Sequence, residues 1–168
     1  MEQSKLDSLY LRTLEFFSGD PARIQHFVKV HSFAAMIGHG EHLSETVQFT
    51  LEAAAIVHDV GILPAEKKYG SSSGDLQESE GPPVAISLLS GLGFPTGVTE
   101  RVAYLVGHHH TYTDIGGKDY QILIEADFLV NFYEGKTPKE QIEATGKKLF
   151  VTKTGKDILS KMFGVIIA

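Results

Sequence analysis

The sequence predicts an all-α fold, a compact bundle of about seven or eight helices with few or no strands. Two helix starts can be read directly. Asp20-Pro21 places a side-chain acceptor at an N-cap and a proline at the first helical position. Thr137-Pro138-Lys139-Glu140 has the form of a capping box with a proline inside it. The third observation is the lack of any run with the sustained period-two alternation of a half-buried strand.

In chain order, an amphipathic helix is expected over residues 5–17, and a second runs from Pro21 through Ile37, closed by Gly38 and Gly40. A third should start near Ser44 and run through Val47, Leu51, Ala54 and His58, ending before Gly61 and Pro64. Residues 66–81, EKKYGSSSGDLQESEG, hold three glycines and four serines with little apolar content, which predicts a flexible loop or lid. Helices follow over residues 83–90, 97–109 and 118–134; another begins at the capping box, and a short last one lies after Gly155. There is no internal repeat, and a length of 168 residues suits one ordinary domain, so residues 1–168 are expected to form a single domain.

Apolar residues make up 42% of the chain and charged residues 21%, a balance that excludes a disordered acidic tail and a basic nucleic-acid arm. With no cysteine, disulfides, thiolate zinc sites, iron–sulfur clusters and thiol nucleophiles are excluded, and any metal must rest on His, Asp and Glu. A formal charge of −6 argues against electrostatic binding to nucleic acid or anionic lipid and leaves a small molecule as the expected partner. The first residues mix Glu2, Lys5, Asp7, Arg12 and Glu15 with apolar positions, unlike an export signal, and no stretch is expected to supply the roughly 20 apolar residues of a bilayer span, so the expected compartment is the cytoplasm.

Eight histidines would mean little if scattered, but several cluster with acids. His58-Asp59 closes a helix through Ala53, Ala54, Ala55, Ile56 and Val57. Adjacent helical residues diverge by about 100°, yet at a helix terminus the backbone can turn both side chains toward one point. An imidazole nitrogen and a carboxylate oxygen together suit iron, manganese, nickel or zinc. Asp127 sits in the apolar run Ile122-Leu123-Ile124-Glu125-Ala126-Asp127-Phe128-Leu129-Val130, where a carboxylate needs a partner or an ion. Glu125 lies about 200° away around that helix and is expected to be solvated. Upstream, His26 shares the stripe His26, Val30, Phe33, Ile37 and should point inward. His31 lies about 140° from it and is read as a packed or surface histidine.

Arg23-x-x-His26-x-x-x-Val30, then Ala54-Ala55-Ile56-Val57-His58-Asp59-Val60-Gly61, then Asp127 on an apolar helix, resembles the HD-domain superfamily of metal-dependent phosphohydrolases. The resemblance implies an all-α HD-domain bundle in which His26, His58, Asp59 and Asp127 hold a divalent transition metal (Fe, Mn, Ni, Co or Zn) whose activated water attacks a small phosphoester, a nucleotide among the candidates. Asp59 would be the catalytic residue, accepting a proton from that water. Two further groups are similar to the two-metal branch, and the number of ions is left at one or two. In Gly107-His108-His109-His110, a histidine would bind a second metal or the substrate phosphate, His108 first and His109 next. In Glu80-Gly81-Pro82-Pro83-Val84, relatives often carry a histidine where this chain has Glu80. Lys67 and Lys68 offer positive charge for the phosphate. Two other readings compete with hydrolysis: a di-iron oxygenase of the same superfamily, supported by Glu80 and His108, and a non-catalytic metal- or ligand-binding module.

Overall fold

The computed structural model describes residues 1–167, and among these it has nine helices and no strand. They are α1 (Glu2–Phe16), α2 (Pro21–Gly40), α3 (Glu45–Val57), α4 (Ile62–Tyr69), α5 (Gly74–Gly91), α6 (Thr96–Val106), α7 (Lys118–Glu134), α8 (Lys139–Leu149) and α9 (Lys153–Phe163). Helix α3 is the central post, packed against α1, α2, α6 and α7, with Leu51 and the run Ala53 to Val57 wholly buried. Contrary to the sequence expectation, the stretch Glu45–Tyr69 is long and apolar enough to cross a membrane by length and composition alone; its apolar character is consumed by this core, with 72% of its most apolar part buried inside the molecule. Helix α7 crosses both α2 and α3 and is apolar on most of its circumference, burying Ile122, Leu123, Ile124, Ala126, Leu129 and Val130.

Local chemistry explains several boundaries. Asp20 caps α2 by accepting from the Arg23 N–H at 3.1 Å, with Pro21 as the first helical residue. Helix α3 begins after Ser44, as the sequence indicates. The capping box at 137–140 does not form: Pro138 itself occupies the N-cap of α8, its ψ of 144° already extended, and no side chain caps the helix.

The largest departure from expectation is the segment 66–81. It is the end of α4, a short turn at residues 70–73 and the first turns of α5, so a long flexible loop does not exist. Gly70 closes α4 in the left-handed conformation, with φ of 68°. Pro82 and Pro83 lie inside α5 rather than at its start. They remove the donors due to the Glu78 and Ser79 carbonyls, and side chains reinforce the preceding turns. Gln77 Nε2 donates to Ser72 O at 2.7 Å, and the Glu78 carboxylate accepts from His110 N–H and from Thr111 Oγ1, both at 2.9 Å.

Candidate metal centre

The site forms where α2, the end of α3, the end of α6 and α7 meet. His26 comes from the body of α2 and Asp127 from α7. His58 is the C-cap of α3, and there the chain tightens: Val60 N–H donates to Val57 O at 3.1 Å and Ile62 N–H to Asp59 O at 3.0 Å. This short-period turn brings His58 and Asp59 toward one point, which a continuing helix would not. The end of α6 does the same through Gly107, so that His108, His109 and His110 fan out in three directions.

His26 Nε2 lies 3.0 Å from Asp127 Oδ1, 3.2 Å from His58 Nε2 and 3.3 Å from Asp59 Oδ2. His58 Nε2 lies 3.4 Å from the same Asp59 oxygen and 3.5 Å from Asp127 Oδ1. An ion with bonds of about 2.0–2.2 Å has ligand atoms about 2.8–3.6 Å apart in octahedral or tetrahedral geometry, and all five separations fall in that range. The other Asp59 oxygen, Oδ1, turns to His109, whose Nε2 is 3.4 Å away. That nitrogen is fully buried and has no hydrogen-bond partner, a costly arrangement for a polar atom unless an ion or a water satisfies it. Each of two sets, His26 with His58 and Asp59, and Asp59 with His109 and His110, could hold a metal ion, and Asp59 belongs to both. The residues present therefore fit a divalent cation.

The charges are set by burial and by one another. Burial alone would depress the His26 imidazole, but the hydrogen bond to Asp127 and the charges of Asp59 and Asp127 push it up to about 9. Burial would raise both acids; the His58 charge and the His109 contact hold Asp59 at about 2, and the His26 and His58 hydrogen bonds hold Asp127 well below its ordinary value. His109 is raised despite its burial, through Asp59. His110 is pushed down to about 4 by burial and the neighbouring His109. Gln77, whose amide N–H is committed to Ser72 O, turns Oε1 to His110 Nε2 at 3.0 Å. The ring therefore donates there, leaving Nδ1 as its acceptor nitrogen.

Above the four donors opens a pocket of about 270 Å³, walled by Arg23, Ile62, Gln77, His110, Asn131 and Glu134. His26, Asp59 and Asp127 line it and His58 backs it from the core, while His31 faces away, paired with Glu52 at 3.0 Å. Four sequence-derived candidates are elsewhere. The Glu80 carboxylate is on the surface, bonded to Lys68 at 2.9 Å and to Tyr69 at 3.0 Å, because the helical path of α5 turns it outward. Lys67 and Lys68 are exposed on α4, and neither lines the pocket. His108 stacks on Tyr104 with ring centres 4.0 Å apart and donates to Tyr104 O, so the histidines of the triplet that face the site are His109 and His110, the latter not among the residues the sequence singled out. The cation at the pocket is Arg23, held by Asp20 and Glu66. Arg23 stood in the sequence motif with no role assigned; Gln77, Asn131 and Glu134 carried no signal. Glu125, expected in solvent, is fully buried and accepts from Val151 N–H, Thr152 N–H, Thr152 Oγ1 and Gln121, anchoring the start of α9.

Comparison with known proteins gives two findings. The family model of the HD domain matches residues 23–151. The crystal structure of a predicted HD superfamily hydrolase from an uncultured Thermotogales bacterium superposes with a TM-score of 0.68 at 24% sequence identity, over 93% of this chain and 83% of that one, a likeness of fold. No curated protein matches the chain.

Proposed function

Because the chain belongs to the HD domain family, we propose that it is a metal-dependent phosphohydrolase acting on a small phosphoester, with nucleotides among the substrates to be tested. The observation that carries this reading is the convergence of His26, His58, Asp59 and Asp127 donor atoms, 3.0–3.5 Å apart, at the floor of an open pocket that has an arginine in its wall. A divalent ion bound there would supply Lewis acidity and a water acidic enough to ionise near neutral pH.

The remaining chemistry belongs to the chain. Asp59 is ionised at neutral pH; with a single ion held on Oδ2 beside His26 and His58, its Oδ1, on the His109 side, is left to accept a proton from the attacking water. Arg23 offers a planar donor pair to a phosphoryl oxygen, while Asp20 and Glu66 keep its side chain at the rim. The neutral amide of Asn131 suits the polar part of a small ester, and a volume of about 270 Å³ favours a substrate that places only its phosphate-bearing end inside. The ion is expected to be a transition metal, given two or more imidazoles in each set. The two groups that supported a di-iron oxygenase, Glu80 and His108, lie outside the site, and Arg23 in the pocket wall favours an anionic ester as substrate.

The test is a screen of phosphorylated metabolites against chelator-stripped protein reloaded singly with Mn²⁺, Fe²⁺, Co²⁺, Ni²⁺ or Zn²⁺. Ion-dependent release of inorganic phosphate that Asp59→Ala abolishes is expected. Full turnover in stripped protein, or in Asp59→Ala, would move the chemistry elsewhere.

A further inference from the structure

The three buried site histidines are oriented in two different ways. His58 Nδ1 donates to Ala55 O and His109 Nδ1 to Val106 O, each at 2.8 Å and each to a carbonyl three residues back, in the last turn of the helix it follows. Both lie at helix ends, where such carbonyls have no intrahelical claimant. His26 lies within α2, whose carbonyls are taken by the helix itself, so the group on its Nδ1 must come from another element. That group is Glu134, with Oε2 3.0 Å from Nδ1.

Glu134 is the last residue of α7, where a negative charge opposes the helix dipole. It is held there by two donors from α2, His26 and Lys29, the Lys29 Nζ lying 2.8 Å from Oε1. Asp127, Asn131 and Glu134 follow at i, i+4 and i+7, so one face of α7 carries both a proposed ligand and, two turns on, the support of another.

Resting on the reading that the site holds a divalent ion, we propose that Glu134 is the positioning residue for His26: it takes the Nδ1–H, fixes the tautomer, and so keeps the Nε2 lone pair aimed at the ion. A carboxylate in this role raises the donor strength of the imidazole. The dependence is unequal across the site, because the two histidines seated by backbone carbonyls need no such side chain.

The experiment titrates Co²⁺ into stripped wild-type protein, Glu134→Ala, Glu134→Gln and Lys29→Met, following the visible d–d bands. In parallel, the histidine ring ¹⁵N–¹H resonances of the Zn²⁺-loaded proteins are recorded. Glu134→Ala should bind about 10–100-fold more weakly and lose the protected His26 Nδ1–H signal. Glu134→Gln, whose amide oxygen still accepts, should recover part of both, and Lys29→Met should stay within about threefold of wild type, since it removes only a partly exposed ion pair. Wild-type affinity and an intact His26 signal in Glu134→Ala would overturn the proposal. Equal losses in Glu134→Ala and Lys29→Met would also overturn it, by showing a clamp between α2 and α7. If wild-type protein itself fails to bind Co²⁺ or Zn²⁺, the metal reading falls, a result distinct from either of these.

Discussion

His108 and His109 differ in what a single substitution should do, and in the opposite order to that expected from the sequence. His109 is buried with its Nε2 facing Asp59, while His108 stacks outside on Tyr104. His109→Ala is therefore expected to lower ion-dependent hydrolysis by about tenfold or more, and His108→Ala to leave it near wild type, measured as initial phosphate release at saturating metal. A second prediction concerns Glu52, which stands apart from the centre. Burial would raise its carboxyl, but the hydrogen bonds from His31 and Gln48 bring it below its ordinary value of 4.5. A depressed folded-state pKa means that the contribution of Glu52 to stability is complete above about pH 4.5 and is lost as pH falls through the folded value. Glu52→Gln should thus lose less stability than wild type between pH 6 and pH 3.5 in urea titrations; an identical acid limb would refute this. At this scale, His26, His58, Asp59 and Asp127 were legible because each stood out as a polar group on an apolar helix. Glu125 was not, because α7 is buried on two sides and its second carboxylate serves the α9 cap, a contact made 26 residues downstream with Val151. Local spacing does not encode that contact.

Among the elements, α5 shows how a composition rule fails. Glycine and serine at residues 66–81 signal a loop, yet Gly61 and Gly81 are there for close approach. A β-carbon on Gly61 would meet the Gln77 carbonyl and lie 2.9 Å from the Gly81 nitrogen, backbone atoms that cannot swing aside. This contact seats α5 on the turn that carries His58 and Asp59 and holds Gln77 beside His110. Gly61→Ala is expected to cost on the order of 1–3 kcal/mol in urea unfolding, through overpacking between two backbones. The same variant should weaken ion binding, because the ligand turn must move with α5; full stability together with full affinity would show that the interface can yield. Helices α2, α3 and α7 were readable from periodicity and from the Asp20-Pro21 start. Helix α4 and the first half of α5 were not, since Pro64 lies inside the first, Pro82 and Pro83 inside the second, and glycines stand at their ends.

For the molecule as a whole, an ion that binds the folded chain and finds no assembled site in the unfolded one must stabilise it. At a hundredfold excess over its Kd this amounts to about 2.7 kcal/mol, or roughly 5–10 °C in Tm for a domain of this size. Thermal melts with and without the preferred ion should show that rise, and EDTA should reverse it. His26→Ala should remove the response and His31→Ala should keep it, since only the first histidine faces the pocket. The seat of the site on α3 has a kinetic corollary. His58 and Asp59 follow directly from residues without solvent exposure, in a helix packed against four others. Their backbone amides should belong to the slowest class in deuterium uptake, opening only when the entire chain unfolds. The ion, by contrast, leaves through the pocket mouth and should yield to a chelator while those amides are still protonated. The cage is then expected to be a permanent fixture with an exchangeable occupant, so that a bound ion should be lost and regained many times within one folded lifetime.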